Sequence, residues 1–123
     1  MRNPNQFDVL VTTNLFGDIL SDLTSGLIGG LGLTAGANIG ADAAIFEAVH
    51  GTAPDIAGKG IANPTAVMLA GGMLLEHIGE RTAADKLVTA IRETIASKEA
   101  TTPDLGGSAT SRMFTNAVLK RLR

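Results

Sequence analysis

The chain has 123 residues, of which 45% are apolar and 18% charged, with a formal net charge of −2. That length suits one small domain, and the composition excludes a disordered chain, which would be polar and charge-rich. The charge balance gives no basic footprint for nucleic acid or an anionic membrane, and no apolar run approaches the ~18–20 residues of a bilayer span. There is no cysteine, so neither a disulfide framework nor a thiolate metal site is available. This fits a reducing compartment. The polar start MRNPNQF has no apolar signal core, so the expected location is the cytoplasm, or the mitochondrial matrix. Four Phe are the only aromatics, so a core must be built largely from Leu, Ile, Val, Ala and Met.

FDVLVTT, from Phe7 to Thr13, is an apolar, β-branched run that reads as a buried strand. A helix is expected from Gly17 to about Leu27, where Leu15, Ile19, Leu23 and Leu27 recur every four residues. GGLGLTAGANIG then breaks the period and reads as loop or as glycine-rich strand. Ala44 to Val49 reads as a second strand. The stretch HGTAPDIAGKGIANP follows it, an irregular segment too long for an ordinary connection and so expected to be functional or disordered. Asn63-Pro64 should start the next helix, with Asn as N-cap and Pro in the first turn, ending near Ile78 at Gly79. That helix is apolar nearly all round and should be buried, with Gly71-Gly72 marking a close approach, but should lose part of its cover where sheet is missing. Thr82 is the expected cap of a third helix, with Asp85 at the capping-box position. Its stripe is Ala84, Leu87, Val88, Ile91 and Ile95. ATTPDLGGSATS reads as loop. A last helix should span Ser111 to Leu122, with Phe114, Ala117, Val118 and Leu122 on one face and basic residues at its end.

Two or three strands and four helices imply an α/β arrangement. A parallel sheet needs several strands and cover on both faces, so part of the sheet is expected to be missing from this chain.

Two constellations could carry chemistry. Asp18 and Asp22, at i and i+4 in LFGDILSD, share a helix face with Cβ atoms roughly 5–6 Å apart. Such a pair repels itself unless a hard cation uses both as oxygen ligands, as Mg²⁺ does. The simpler reading is that both favour the positive end of their helix. The second constellation is the long loop, with His50, Thr52, Asp55 and Asn63 and free backbone N–H groups around Gly51 and Ala53. It suits a polyhydroxylated or heteroaromatic ligand. His50 could equally be a strand-end histidine satisfied by backbone. There is no G-x-G-x-x-G between strand and helix, and GGLG at 29–32 has the wrong spacing. Composition permits a Ser-His-Asp triad, but no G-x-S-x-G occurs.

NLFGDILSD, then GANIG, then FEAVHGTAPDIAGKGIANPTA, then DLGGSAT, resembles the β-decarboxylating dehydrogenases in motif order and spacing. That family includes the isocitrate, isopropylmalate, homoisocitrate and tartrate enzymes. The likeness runs from about Asn3 to Leu122. GANIG and HGTAPDI look most like the NAD-dependent isocitrate dehydrogenases; isopropylmalate enzymes usually have EPVHGSAPD where this chain has EAVHGTAPD.

The resemblance implies roles. Asp18 and Asp22 match aspartates that hold Mg²⁺ or Mn²⁺, which also chelates the substrate's 2-hydroxyl and carboxylate. Glu47 matches a glutamate near the nicotinamide end of the cofactor. His50, Gly51, Thr52 and Ala53 match the loop around adenosine and pyrophosphate, and Asn63 an adenine contact. Asp55 and Ile56 stand where the family distinguishes NAD from NADP. A carboxylate there accepts from ribose hydroxyls and repels a 2′-phosphate, which favours NAD. The implied reaction is oxidation of isocitrate, then decarboxylation to 2-oxoglutarate.

The resemblance also implies what is missing. The family's substrate arginines, catalytic lysine and tyrosine and third metal carboxylate lie outside this chain, which has no tyrosine. No catalytic residue beyond the metal ligands is therefore expected. The chain should be a C-terminal portion with a partial three-layer fold. Residues 1–30 would be a remnant of the dimer-forming small domain, and 31–123 the C-terminal half of the cofactor-binding large domain. Alone it should be inactive, with strand edges exposed, and should pair with a second copy or a complementary N-terminal segment. The alternatives are an isopropylmalate, homoisocitrate or tartrate dehydrogenase portion, or a non-catalytic interaction or regulatory piece.

Overall fold

A computed structural model describes residues 3–123. The described residues form four α-helices and one two-stranded antiparallel sheet. Helix α1 spans Asn14–Leu27, strands β1 and β2 span Ala35–Ile39 and Ala44–Ala48, and α2, α3 and α4 span Thr65–His77, Arg81–Ser97 and Ser111–Leu122.

The helical expectations hold best where period and cap agree. Helix α4 has the expected bounds, and the Thr110 hydroxyl caps it by accepting from the Met113 N–H at 3.2 Å. Phe114 and Val118 point from it into the core, where Ala90 and Ile91 of α3 meet them and Met68, Leu69, Leu87 and Ile95 complete the cluster. Helix α2 lies between the hairpin and α3, and α3 lies between α2 and α4. Of the expected glycine pair only Gly72 is in close contact: a Cβ there would stand 3.3 Å from Val88 Cγ2, while one on Gly71 would meet nothing.

The glycine-rich segment is both things it could have been. Leu31–Leu33 forms a 3-10 turn, and β1 follows it. Ala37 pairs with Phe46, and the Gly40 N–H closes the hairpin on the Ala43 carbonyl at 2.8 Å. A lone hairpin is marginal in water. This one is held by α2, with the Phe46 ring 5.4 Å from that of His77.

Three expectations are corrected. Phe7 to Thr13 forms no strand; Val9 and Val11 are 78% and 92% exposed. A β-branched run becomes a strand only when another strand takes up its backbone groups, and none of the described residues does so here. Helix α1 begins three residues early, at Asn14; its stripe of Leu15, Ile19, Leu23 and Leu27 is exposed, and Ser25 is its one buried residue. Thr82 lies inside α3; the N-cap position is Glu80, without a side-chain cap bond. Helix α2 is part-covered, as expected, with Val67, Leu74 and Ile78 exposed. Pro64 precedes its first residue, and Asn63 caps it by accepting from the Thr65 N–H at 3.0 Å.

Among the described residues no helix is long and apolar enough to cross a membrane.

Candidate functional site

The segment between β2 and α2 has one short regular element, a 3-10 turn over Pro54–Ile56. It is nevertheless anchored. The Ser111 N–H donates to the Gly60 carbonyl at 2.8 Å, and the Ser111 hydroxyl lies against the Gly60 and Ala62 carbonyls. The start of α4 therefore fastens the far end of the loop. Ala53 adopts a left-handed conformation, φ 43° and ψ 61°, costing a non-glycine residue about 1–2 kcal/mol. Such strain persists only where surrounding contacts hold it, and it clusters at ligand sites.

The loop encloses a cleft of about 900 Å³, within the range of small-molecule sites. Six of the eight expected nucleotide residues line it: His50, Gly51, Thr52, Ala53, Ile56 and Asn63. His50 Nδ1 lies 3.0 Å from the Gly51 carbonyl oxygen. A carbonyl only accepts, so Nδ1 carries the proton in that contact and Nε2 is left as an acceptor. Ile56 and Ile61 add apolar wall. The mixture of apolar surface and a few polar groups fits a heteroaromatic ring joined to a sugar.

The other two expected residues do not line the cleft. Asp55 is exposed on the Pro54–Ile56 turn beside Ile56. Glu47 is exposed on β2, where it accepts from Asn38 Nδ2 across the hairpin at 3.1 Å.

A residue given no role from the sequence is part of the wall. Asp104, in the Pro103–Leu105 turn, accepts from Asn63 Nδ2 at 2.8 Å across 41 residues of sequence. Its turn is locked by Gly107, where a Cβ would fall 2.0 Å from the Thr101 carbonyl oxygen, so no side chain fits. The PDLGG pattern signals a turn, but nothing local signals Asn63 as its partner. The hydroxyls of Thr65 and Thr102, each two residues from one end of this link, are buried without a partner among the described residues.

Asp18 and Asp22 lie together on α1, exposed, with no cationic partner among the described residues. The early start of α1 bears on the simpler of their two readings. No acidic residue falls in its first turn, and the favourable end of the helix dipole fades within that turn. Two hard-oxygen donors facing water fit part of a divalent-cation shell. Among the described residues no third His, Cys, Asp or Glu joins them. Helix α1 meets the rest of the chain mainly at the Leu31–Leu33 turn.

The isocitrate/isopropylmalate dehydrogenase family model matches residues 1–121. An isocitrate/homoisocitrate dehydrogenase of Thermus thermophilus is 56% identical over all 123 residues, which cover 36% of that protein. The mitochondrial isocitrate dehydrogenase [NAD] subunit alpha of Sus scrofa is 55% identical over 124 residues, covering 34% of it. The crystal structure of isocitrate dehydrogenase from Methylococcus capsulatus superposes on 98% of this chain with a TM-score of 0.91 and 63% identity, over 36% of that structure. The chain thus spans about a third of the length of these relatives. Its hairpin and four helices are a part of that larger α/β fold, and the chain belongs to the isocitrate/isopropylmalate dehydrogenase family.

Proposed function

We propose that this chain supplies the cofactor-selecting loop and two metal-holding carboxylates of an NAD-dependent, Mg²⁺- or Mn²⁺-dependent dehydrogenase that oxidatively decarboxylates isocitrate to 2-oxoglutarate. The observation that carries the reading is the cleft, whose wall gathers His50, Gly51, Thr52, Ala53, Ile56 and Asn63. Homoisocitrate is the second substrate to consider, because the Thermus relative is named for both acids.

When bound, NAD supplies the hydride acceptor and the divalent cation supplies charge stabilisation at the substrate oxygens. The chain's own contribution is binding and orientation. His50 Nε2 and the Thr52 hydroxyl offer polar contacts to a sugar, and Gly51 and Ala53 offer backbone N–H donors to phosphate oxygens. Ile56 and Ile61 offer apolar contact to a ring. Asp18 and Asp22 would hold the cation, and Glu47 is the residue assigned to the nicotinamide end. With no tyrosine in the chain, a tyrosine general acid must come from a segment outside it. The chain is therefore inactive alone. Residues 1–30 belong to the dimer-forming domain and 31–123 to the cofactor domain. The exposed run at 7–11 and the bare stripe of α1 are the faces that the rest of the enzyme or a second copy covers. A reducing compartment, cytoplasm or mitochondrial matrix, suits the cysteine-free chain.

The test is a change of cofactor preference in a completed enzyme, made by joining this chain to the remaining two thirds of the Thermus relative. Asp55→Lys with Ile56→Tyr removes the carboxylate that disfavours a 2′-phosphate and adds a cation that attracts it. The ratio of kcat/KM for NAD over NADP is expected to fall by about 10-fold or more, the effect of ~1.4 kcal/mol at one charged contact. An unchanged ratio would refute the loop assignment.

A further inference from the structure

We infer that Ser111, which touches no part of the cleft, is a positioning residue for the cofactor: from behind the loop its hydroxyl holds residues 60–62 in the shape that NAD binds. The inference rests on the NAD reading of the cleft. Gly60, Ile61 and Ala62 line the cleft, and Ser111 does not. Within the loop the hydrogen bonds are local. The Ile56, Ala57 and Lys59 N–H groups donate to the Ala53, Pro54 and Ile56 carbonyls, which folds the turns but attaches them to nothing else. Among the described residues, the hydrogen bonds that tie residues 50–62 to distant sequence all end on Ser111. Its N–H donates to the Gly60 carbonyl at 2.8 Å. Its hydroxyl lies 3.1 Å from the same oxygen and also against the Ala62 carbonyl.

The tether acts where the chain has most freedom to lose. Gly58 and Gly60 take φ values of 76° and 64° on either side of Lys59, and glycine gives up more conformational freedom on ordering than any other residue. A serine hydroxyl carries one proton, and here two carbonyls face it, so it bridges them and fixes the peptide run between Gly60 and Ala62. That run contains Ile61, part of the apolar wall. The anchor is itself firmly seated. Ser111 opens α4, and Phe114 in the same first turn is 0% exposed in the core. A loop already held in its binding shape loses less freedom when the ligand arrives, and so binds it more tightly. Loss of the hydroxyl therefore weakens cofactor binding and leaves the chemical step alone.

The experiment uses the completed enzyme described above and compares it with Ser111→Ala, Ser111→Thr and Thr110→Ala. Ser111→Ala should raise KM for NAD by about 3- to 10-fold, the effect of one lost hydrogen bond, with kcat and KM for isocitrate unchanged. Ser111→Thr keeps the hydroxyl and should restore KM. Thr110→Ala is the control for helix stability. It removes the cap of the same helix, which accepts from the Met113 N–H, without touching the loop. It should lower Tm and leave KM for NAD where it was. A second readout needs no cofactor: in the free enzyme, amide hydrogen exchange over residues 57–62 should quicken in Ser111→Ala and not in Thr110→Ala. The inference is overturned by an unchanged KM or unchanged exchange in Ser111→Ala, by a rise in KM that Ser111→Thr does not relieve, or by an equal rise in Thr110→Ala. If instead the exchange changes as expected but the unmodified enzyme shows no saturable use of NAD, the tether stands and the NAD reading of the cleft falls, and with it the positioning role.

Discussion

Phe114→Ala is expected to cost about 3–5 kcal/mol, the range for deleting a buried phenyl ring. Phe114 is 0% exposed and is the largest fully buried side chain among the described residues. It joins α4 to Ala90 and Ile91 of α3 and to the α2 residues Met68 and Leu69. Its removal leaves a cavity at the centre of the cluster where α3 and α4 meet. Small domains are stable by only ~5–15 kcal/mol, so a loss of this size removes most of the folded population's margin. The cost should register as a large fall in the urea midpoint, or as loss of a cooperative transition. Phe16→Ala provides the contrast. Phe16 is 66% exposed on α1, and its truncation in this chain should lie within about 0.5 kcal/mol. Equal shifts for the two variants would show that the core is not where Phe114 places it.

The second large effect is expected at the metal. In the completed enzyme, Asp22→Asn should weaken apparent Mn²⁺ affinity by about 100-fold or more. Outer-shell partners of metal ligands already cost 10–100-fold, and a direct anionic ligand should cost no less. The asparagine keeps the shape and an acceptor oxygen but removes a charge. Asp22 lies beyond the first turn of α1, too far along for the helix dipole to account for it. Titration of activity with Mn²⁺ measures the effect, and an unchanged midpoint would remove Asp22 from the metal site.

What was legible in the sequence divides along physical lines. Helices α3 and α4 could be read because their own residues carry a 3.6-residue period that matches a face buried within the chain. The loop after β2 could be read as a site because its length and polar content make no sense as a connection. Phe7–Thr13 was misread because strand identity is conferred by a neighbour. The same FDVLVTT that would pair in a larger sheet stays unpaired when no strand comes to it. The stripe of α1 shows the same limit: its period predicts helix correctly but says nothing of whether a partner face is present. Thr82 fitted a local capping pattern, yet α3 starts one residue earlier, at Arg81. Asp104 was missed for the opposite reason. Its role is created by a bond to a residue 41 positions away, and a turn motif carries no trace of that. Asp55 was read with the polar groups of the loop and set at the cofactor by likeness, and it stands on the Pro54–Ile56 turn rather than among the residues lining the cleft.

The central claim is that this chain is the NAD- and metal-holding part of an isocitrate-oxidising enzyme. Mixing or joining it with the remaining two thirds of the Thermus relative, and following isocitrate-dependent formation of NADH, tests that claim most directly. The account predicts NADH only when both parts and Mg²⁺ or Mn²⁺ are present, and none from this chain alone. No NADH from either combination, or the same rate after removal of divalent metal, would contradict it.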